Sequence, residues 1–350
     1  MTNEPNGWTL VAGGAGFIGS HLCMKLLEAG ERVLCLDNLQ TSRPSNLEML
    51  KKLEGFRFVL GDVSQPLPVE VMREARSIRR IYNLACAASP PLYQLDPEHT
   101  MLTNVLGTDR LLRLAEQAGA RFLLASTSEV YGDPDIHPQP EHYRGNVSCT
   151  GPRACYDEGK RSAETLAFDF ARSQRAEVRV ARIFNTYGPH MRMDDGRVIS
   201  NFICQALSGE RLTIYGDGKQ TRSFCYVEDT VAGLMRLMEA EMPELVPVNI
   251  GNPHELTIAE LIDSLAEIAG APLSPTRHPL PKDDPQRRRP DISLARDLLD
   301  WQPVTPLSVG LRRTFDWFAA ELEATESKGD TYEIDASPGL KAFVPVPATA

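Results

Sequence analysis

Long apolar segments are missing from this 350-residue chain, and none approaches the ~20 residues that a membrane-spanning helix needs. The first ten residues, MTNEPNGWTL, also lack the basic and apolar regions of a signal peptide. A basic excess is missing as well: the net charge at pH 7 is −10, which argues against a general nucleic-acid binder. The composition is that of a globular protein, with 42% hydrophobic and 24% charged residues. We therefore expect a cytoplasmic enzyme or binding protein with no nucleic-acid or membrane partner.

Cysteines with metal-ligand spacing are also missing. The seven cysteines are an odd number, no two of them form a Cys-x-x-Cys motif, and Cys23, Cys35 and Cys86 lie in apolar stretches. This pattern favours reduced, mostly buried thiols over disulfides or a zinc site. We therefore expect no bound metal.

The first half of the chain contains a regular alternation of short apolar runs and helical patterns. Runs such as WTLVAGG, RVLCLDN and RFLLAST alternate with SHLCMKLLEAG and TNVLGTDRLLRLAEQAGA. This order predicts an α/β fold: a Rossmann-type doubly wound parallel sheet with right-handed crossovers and helices on both faces.

The chain becomes rich in loops and prolines after about residue 190, as in APLSPTRHPLPKDDPQRRRPD. Residues 1–190 are expected to form mainly the Rossmann domain. Residues 191–325 are expected to form mainly a smaller C-terminal lobe that holds a ligand against the sheet, with some chain crossing back to it. Residues 326–350 are expected to be a flexible tail.

Three glycines mark the first strand-to-helix junction. In TLVAGGAGFIGSHL, Gly13, Gly16 and Gly19 follow a predicted strand. A loop there must turn tightly, let a pyrophosphate approach the backbone and pack its helix on the sheet. Asp37 ends the second strand eighteen residues after Gly19, close to the separation of about 20 residues at which an acid binds the adenosine ribose. Because this carboxylate would repel a 2′-phosphate, NAD is favoured over NADP.

The third strand ends in LGDV, where Asp62 and Val63 are expected to border the adenine. The alternative for Asp37 and Asp62 is ordinary turn chemistry at strand ends. The glycine loop favours the dinucleotide interpretation.

Polar residues lie at the carboxyl end of another predicted strand. LLASTSEVYG places Ser126, Thr127, Ser128 and Glu129 there, at the edge of an open α/β sheet where ligands bind. The alternative is a polar strand exit with local backbone hydrogen bonds.

Tyr156 and Lys160 are four residues apart in CYDEGKRSAETLAF, so on a helix they share a face. Taken alone, the pair could be surface decoration. Together with an NAD site and a strand-end hydroxyl, the pair favours a catalytic tyrosine. A tyrosinate held ionised by Lys160 and the nicotinamide charge can remove the proton of a sugar hydroxyl. Thr127 would hold the same oxygen.

Longer motifs resemble one enzyme family. STSEVYGDP, TGPRACYDEGKRSAET, VRVARIFNTYGPHMRMDDGRVISNFI and DDPQRRRPDI are similar to those of the UDP-glucuronate decarboxylases, or UDP-xylose synthases, of the extended short-chain dehydrogenase/reductase superfamily. The resemblance runs from about residue 8 to about 323. It implies a carboxy-lyase that oxidises the sugar C4 hydroxyl with tightly bound NAD, loses the carboxylate as carbon dioxide and reduces the C4 ketone with the NADH just formed.

The resemblance also implies roles for individual residues. Tyr156 would be the base and then the acid at O4, Lys160 would lower the pKa of Tyr156 and contact the nicotinamide ribose, and Thr127 would position O4. Glu129 would orient the sugar ring or help to protonate C5, and the sequence leaves both open.

Binding residues follow from the same resemblance. For the cofactor they are Gly13, Gly16, Phe17, Ile18, Gly19, Asp37, Asn38, Asp62, Val63, Leu84, Tyr156 and Lys160. For UDP-glucuronate they are Glu129, Asn185, Ser200, Asn201, Phe202, Tyr215, Arg222 and Arg288. The resemblance further implies a homodimer joined through helices that include residues 104–118 and 153–173.

Several alternatives stay open. A UDP-glucuronate 4-epimerase, or an oxidative decarboxylase that releases UDP-4-keto-pentose and NADH, would use the same scaffold. A dTDP-glucose 4,6-dehydratase commonly has Asp-Glu directly after the threonine. In this chain Ser128 stands where that Asp would be, which weakens the dehydratase alternative. An NAD-binding sensor without turnover belongs to a different class, but such proteins tend to lose the tyrosine or the lysine.

Overall fold

The computed structural model describes residues 7–279 and 287–326, together with two further strands, Thr331–Ile334 and Phe343–Val346. The predicted flexible tail therefore lies largely outside the described residues, and its flexibility stays a prediction. Its two described strands pair with each other in an antiparallel ribbon. No helix among the described residues is long and apolar enough to cross a lipid bilayer.

The described strands, in chain order, are β1 Trp8–Ala12, β2 Arg32–Asp37, β3 Phe56–Leu60, β4 Ile78–Asn83, β5 Arg121–Thr127, β6 Val178–Ile183, β7 Thr186–Tyr187, β8 Leu212–Tyr215, β9 Thr221–Ser223, β10 Cys225–Tyr226, β11 Val248–Ile250, β12 Glu255–Thr257, β13 Pro275–His278, β14 Arg287–Arg288, β15 Thr331–Ile334 and β16 Phe343–Val346.

The described helices are α1 Phe17–Glu28, α2 Pro44–Leu50, α3 Val69–Arg73, α4 Pro90–Tyr93, α5 Pro97–Leu102, α6 Thr108–Ala118, α7 Ala154–Arg172, α8 Val198–Leu207, α9 Val227–Glu239, α10 Ile258–Ala269, α11 Ser293–Leu299 and α12 Leu307–Glu326. A π-helical turn, Thr103–Gly107, joins α5 to α6, and a 3-10 turn, Ser128–Tyr131, follows β5.

The central sheet of the described chain has seven parallel strands in the order β3-β2-β1-β4-β5-β6-β11. Its inner strands are buried along nearly their whole length, as apolar runs such as WTLVA require when helices cover both faces of a sheet. The doubly wound Rossmann-type fold predicted from the alternating pattern is confirmed. The strand order reverses between β1 and β4, which opens a crevice at their carboxyl ends.

The chain after residue 190 builds most of a second lobe. Strand β8 pairs with β13, and β9 pairs with β12 and β14, while α8, α10 and α12 pack together beside them. Strand β11 and helix α9 return to the central sheet. A continuous apolar cluster includes Leu26 and Leu123 of the sheet domain and Ile203 and Phe318 of the lobe, so the two parts share one core. The boundary at residue 190 stays a prediction.

The first strand-to-helix loop leaves no room for side chains. A Cβ at Gly19 would lie 2.0 Å from the Gly13 carbonyl oxygen, and a Cβ at Gly13, whose φ is +76°, would lie 2.8 Å from the backbone of Leu84 and Ala85. Glycine at Gly13 therefore lets the exit of β4 approach the loop, and glycine at Gly19 lets α1 begin directly against it.

Gly19→Ala tests this close packing. Because the atoms that a methyl group would meet belong to the backbone, α1 must shift, and we expect a loss of about 1–3 kcal/mol in stability together with loss of dinucleotide binding. Thermal unfolding and NAD binding measure the two effects. Gly30→Ala is the control, because Gly30 has a positive φ and nothing within 4 Å of its Cβ position, so alanine there strains the backbone without a clash. It should lose stability and keep NAD; unimpaired NAD binding in Gly19→Ala would contradict the proposed packing.

Candidate active site

A cavity of about 700 Å³ lies at the carboxyl edge of the sheet, between the strand ends and the C-terminal lobe. It brings together nearly all of the predicted site residues. Those that line it are Gly13, Gly16, Phe17, Ile18, Gly19, Asp37, Asn38, Asp62, Val63, Leu84, Thr127, Glu129, Tyr156, Lys160, Asn185, Phe202, Tyr215, Arg222 and Arg288.

Two predicted substrate residues, Ser200 and Asn201, are not part of the cavity lining. The Ser200 hydroxyl is buried and donates to the Arg197 carbonyl at 2.9 Å, and the Asn201 side-chain amide donates to the Gly196 carbonyl at 3.1 Å. Successive residues of a helix point in different directions, so only Phe202 of this trio reaches the cavity. Direct contact of Ser200 or Asn201 with a substrate stays a prediction.

Asp37 organises the dinucleotide end of the cavity. Its carboxylate accepts hydrogen bonds from the backbone N–H of Ala15 at 2.9 Å, the backbone N–H of Leu39 at 2.8 Å and the hydroxyl of Ser42 at 3.0 Å. Burial raises the pKa of Asp37, although these hydrogen bonds oppose the change. The carboxylate thus fixes the glycine loop to the end of β2 while still lining the cavity.

Asp62 has a partner that the sequence gave no reason to expect. Its carboxylate pairs with His99 Nε2 at 2.7 Å and accepts from the Ser64 N–H at 2.7 Å and from Asn38 Nδ2 at 3.0 Å. Burial raises the pKa of Asp62, but these hydrogen bonds outweigh it and hold the pKa at about 2. Asp62 is therefore a carboxylate at neutral pH, and His99 ties it to the start of α5.

Tyr156 and Lys160 share one face of α7, as their spacing predicts. The buried Tyr156 ring stacks on Tyr93, with 4.9 Å between the ring centroids. Thr127, at the end of β5, is near enough to oppose the rise in the pKa of Tyr156. Lys160 Nζ lies 5.9 Å from the centre of the Tyr156 ring and donates to the Ala125 carbonyl at 2.8 Å. Phenol, threonine hydroxyl and ammonium group therefore meet at one strand end.

Burial affects the pKa of both members of this pair. Burial raises the pKa of Tyr156 well above its ordinary value and lowers the pKa of Lys160. Loss of contact with water disfavours both charged forms, and the lowering of the Tyr156 pKa by Lys160 stays a prediction.

Glu129 lies between two arginines. It forms ion pairs with Arg153, at the start of α7, and with Arg288 of β14, whose Nη2 is 3.1 Å from Oε2 of Glu129. Burial raises the pKa of Glu129, but the two guanidinium groups outweigh it and the pKa is lowered. Arg288 was expected from the sequence. Arg153 was missed, although its place three residues before Tyr156 put it near the site.

A second carboxyl group joins these charges, and we call Glu129, Arg153, Arg288 and Asp157 the charge cluster. Asp157 is buried, and its Oδ1 has no hydrogen-bond partner among the described residues. Burial and the nearby Glu129 raise the pKa of Asp157 to about 7, although Arg153 and Arg288 oppose the change. The cluster thus holds one ionised acid and one that is half protonated near neutral pH.

Arg222 and Arg288 face each other in the register of the parallel strands β9 and β14. Both line the cavity, together with Asn185 and the partly exposed Tyr215 at the end of β8. Arg222 suits a diphosphate, because a planar guanidinium can bond two oxygens, whereas both Nη atoms of Arg288 donate to Glu129. Among the described residues, no group of three or more His, Cys, Asp or Glu side chains could hold a metal ion.

Comparisons with a family model and with curated relatives agree on the kind of protein that this chain resembles. Residues 9–251 match the NAD dependent epimerase/dehydratase family. The chain is 51% identical over 314 residues to UDP-glucuronic acid decarboxylase 1 of Danio rerio, covering 90% of this chain and 73% of the relative. It is 52% identical over 309 residues to UDP-glucuronic acid decarboxylase 3 of Arabidopsis thaliana, covering 88% of each.

Solved structures support the same fold. One is a UDP-glucuronic acid 4-epimerase from Bacillus cereus in complex with UDP-glucuronic acid and NAD. It is similar with a TM-score of 0.77 and 28% identity, over 90% of this chain and 99% of the epimerase.

The raised pKa of Asp157 predicts a pH-dependent stability. Between the ordinary carboxyl pKa of about 4 and the folded-state value, the folded protein binds more protons at this site than the unfolded chain. Stability therefore falls as the pH rises from about 4 to about 7. Asp157→Asn should remove this part of the fall, which is on the order of 2–4 kcal/mol.

Chemical denaturation at several pH values from about 4 to about 8 would measure this effect. The variant should gain stability relative to the native sequence as the pH rises. Asp169→Asn, which changes an exposed carboxyl on the same helix, is the control and should show no comparable gain. A constant difference between Asp157→Asn and the native sequence would contradict the raised pKa.

Proposed function

The chain belongs to the NAD dependent epimerase/dehydratase family, and we propose that it is a UDP-glucuronate decarboxylase that forms UDP-xylose with a retained NAD. The observation that carries this proposal is the meeting, in one cavity, of a strand-end Tyr156–Thr127 pair and a charge cluster containing two arginines. The Tyr156–Thr127 pair suits oxidation of a sugar hydroxyl, and the charge cluster suits binding of an acidic sugar. The similarity to decarboxylases at 51% and 52% identity supports the same function.

The cavity fits a dinucleotide at the glycine loop. Gly13, Gly16 and Gly19 line this end of the cavity without side chains, and Asp37 lines the same end. The loop, the start of α1 and Asp37 would hold NAD, which supplies a hydride acceptor for C4 and returns the hydride later. Tyr156 and Lys160 would lie at its nicotinamide end.

The side chains of this protein would carry out the proton transfers. As a base Tyr156 would have to be a tyrosinate, held in that form by Lys160 together with the nicotinamide charge. Thr127 would hold O4 of the sugar while this tyrosinate takes the proton of that hydroxyl. The resulting C4 ketone is β to the C6 carboxylate, so the electrons left when carbon dioxide departs flow into an enolate. The Tyr156 and Thr127 hydroxyls would stabilise the enolate oxygen as donors already in place. The enolate would take up a proton at C5, which comes from solvent, to give the C4 ketone of the pentose. Once the hydride has returned to C4, Tyr156 would give its proton back to O4.

The charge cluster bears on the two roles considered for Glu129, which are orientation of the sugar ring and protonation of C5. Because Arg153 and Arg288 lower the pKa of Glu129, this side chain is a carboxylate at neutral pH and a poor proton donor. We therefore favour orientation of the sugar ring by Glu129 over protonation of C5. Arg222, Asn185 and Tyr215 would bind the UDP part, with Tyr215 as the neighbour of the uracil.

We also propose a cytoplasmic homodimer. Seven free thiols, most of them partly or fully buried, fit a reducing compartment. Helices α6 and α7 pack side by side, and Leu102 and Leu106, one helical turn apart next to them, are 38% and 37% exposed. A second copy would cover this apolar surface. Sedimentation of the native protein should give twice the chain mass, and Leu106→Glu should give monomers; a monomeric native protein would contradict the proposed dimer.

Incubation of the purified protein with UDP-glucuronate, without added NAD, tests the function directly. Mass spectrometry of the nucleotide sugar and absorbance of free NADH are the two measurements. UDP-xylose without accumulation of NADH supports the proposal. UDP-4-keto-pentose with an equal amount of NADH would instead identify an oxidative decarboxylase, and UDP-galacturonate would identify a 4-epimerase.

Tyr156→Phe tests the mechanism in the same assay. Phenylalanine keeps the ring that stacks on Tyr93 and removes only the hydroxyl. We expect carbon dioxide release to fall by at least about a hundredfold, the lower range of a general acid–base contribution, while NAD stays bound. Tyr143→Phe, which changes a tyrosine outside the cavity lining, is the control. Normal turnover by Tyr156→Phe would rule out this mechanism.

A further inference from the structure

Arg43 lines the cavity next to the residues that hold Asp37. It directly follows Ser42, whose hydroxyl donates to the Asp37 carboxylate at 3.0 Å. Asp37 is the expected ribose ligand, so Arg43 lies at the adenosine end of the proposed dinucleotide site. Its side chain is only 14% exposed.

Helix α12, close to the end of the described chain, holds this arginine in place. The guanidinium carbon lies 4.5 Å from the centre of the Trp317 ring, and Nη2 forms an ion pair with Glu321. Trp317 also contacts His190, another residue of the cavity lining, with 5.8 Å between the ring centres. The stacking and the ion pair fix both the plane and the position of the guanidinium group.

One nitrogen of this guanidinium group is left without a partner. Arg43 Nη1 is buried and has no hydrogen-bond acceptor among the described residues. A buried donor without an acceptor costs free energy, so such a group at a cavity wall indicates a missing ligand. The ligand chemistry that fits is an anionic or hydroxyl oxygen, which the adenosine half of a dinucleotide carries in its phosphate and ribose.

We infer that α12 completes the cofactor site: Trp317 and Glu321 position Arg43, and Arg43 Nη1 binds an oxygen of the adenosine half of NAD. This inference rests on the proposed NAD-dependent function. Glu321 neutralises much of the charge of Arg43, and Asp37 lies just beyond Ser42, so the arginine contributes a hydrogen bond without recruiting a 2′-phosphate. A retained NADH needs such an additional contact, because it must not leave between oxidation and re-reduction.

The test uses the full-length protein with Arg43→Ala and Glu321→Gln. The amount of NAD that survives gel filtration and the Kd for NAD by calorimetry are measured directly. We expect both variants to raise the Kd by about tenfold, the value of one charge-assisted hydrogen bond. Because the sugar site is not altered, the loss should appear as a need for added NAD during turnover and not as a higher KM for UDP-glucuronate.

Two further variants separate positioning from a general effect on folding. Trp317→Phe keeps an aromatic face under the guanidinium and should retain most of the NAD affinity, whereas Trp317→Ala should lose it. Glu228→Gln is the matched control, because Glu228 forms an exposed ion pair with Arg313 of the same helix and lies outside the cavity lining. It should leave NAD binding unchanged.

Each outcome decides the inference. Native NAD affinity in Arg43→Ala, or an effect of Glu321→Gln no larger than that of Glu228→Gln, would overturn it. The inference and the proposed function can fail separately. If the native protein binds NAD but forms no UDP-xylose, the proposed function is wrong. The NAD affinities of the variants would still decide the role of α12.

Discussion

The buried ion pairs of Glu129 are the interaction on which the geometry of this site depends. Glu129 follows the end of β5, Arg153 precedes α7, and Arg288 belongs to a short strand of the C-terminal lobe. Desolvating three charges is costly, and removing the carboxylate would leave two buried guanidinium groups facing each other. The arrangement therefore holds three distant parts of the chain together. Because Arg153 lies three residues before Tyr156, it also helps to set where the phenol meets Thr127.

The sheet topology makes this meeting possible. Strand order reverses between β1 and β4, so the loop after β1 and the exit of β4 face each other with only glycine between them. The ends of β5 and β6 extend the same edge toward the C-terminal lobe. An apolar cluster continues from the sheet helices into that lobe, which keeps the cavity walls in fixed positions. One rigid scaffold thus serves a dinucleotide at one end and a sugar nucleotide at the other.

Local patterns predicted the fold and the centre of the site. The apolar alternation, the glycine loop and the Tyr156–Lys160 spacing are all short-range patterns. Each predicts a local geometry without knowledge of the tertiary structure. Pairings over long distances left no such signal. Arg43 and Glu321 are 278 residues apart, and Glu129 and Arg288 are 159 residues apart. The protonation states of the site residues could not be predicted from the sequence either, because the pKa of Tyr156 depends mainly on how deeply the folded chain buries it.

The charge cluster also makes the proposed site more favourable for an acidic sugar before the reaction than for a neutral one after it. Below about pH 7 Asp157 is largely protonated, so two arginines face one carboxylate and the cluster carries a net positive charge. A hexuronate carboxylate bound nearby would neutralise this charge in a region of low dielectric, where the gain is large. Loss of carbon dioxide removes that negative charge from the sugar and leaves the cluster uncompensated. The pentose would therefore gain less from the site than the hexuronate, which would favour its release.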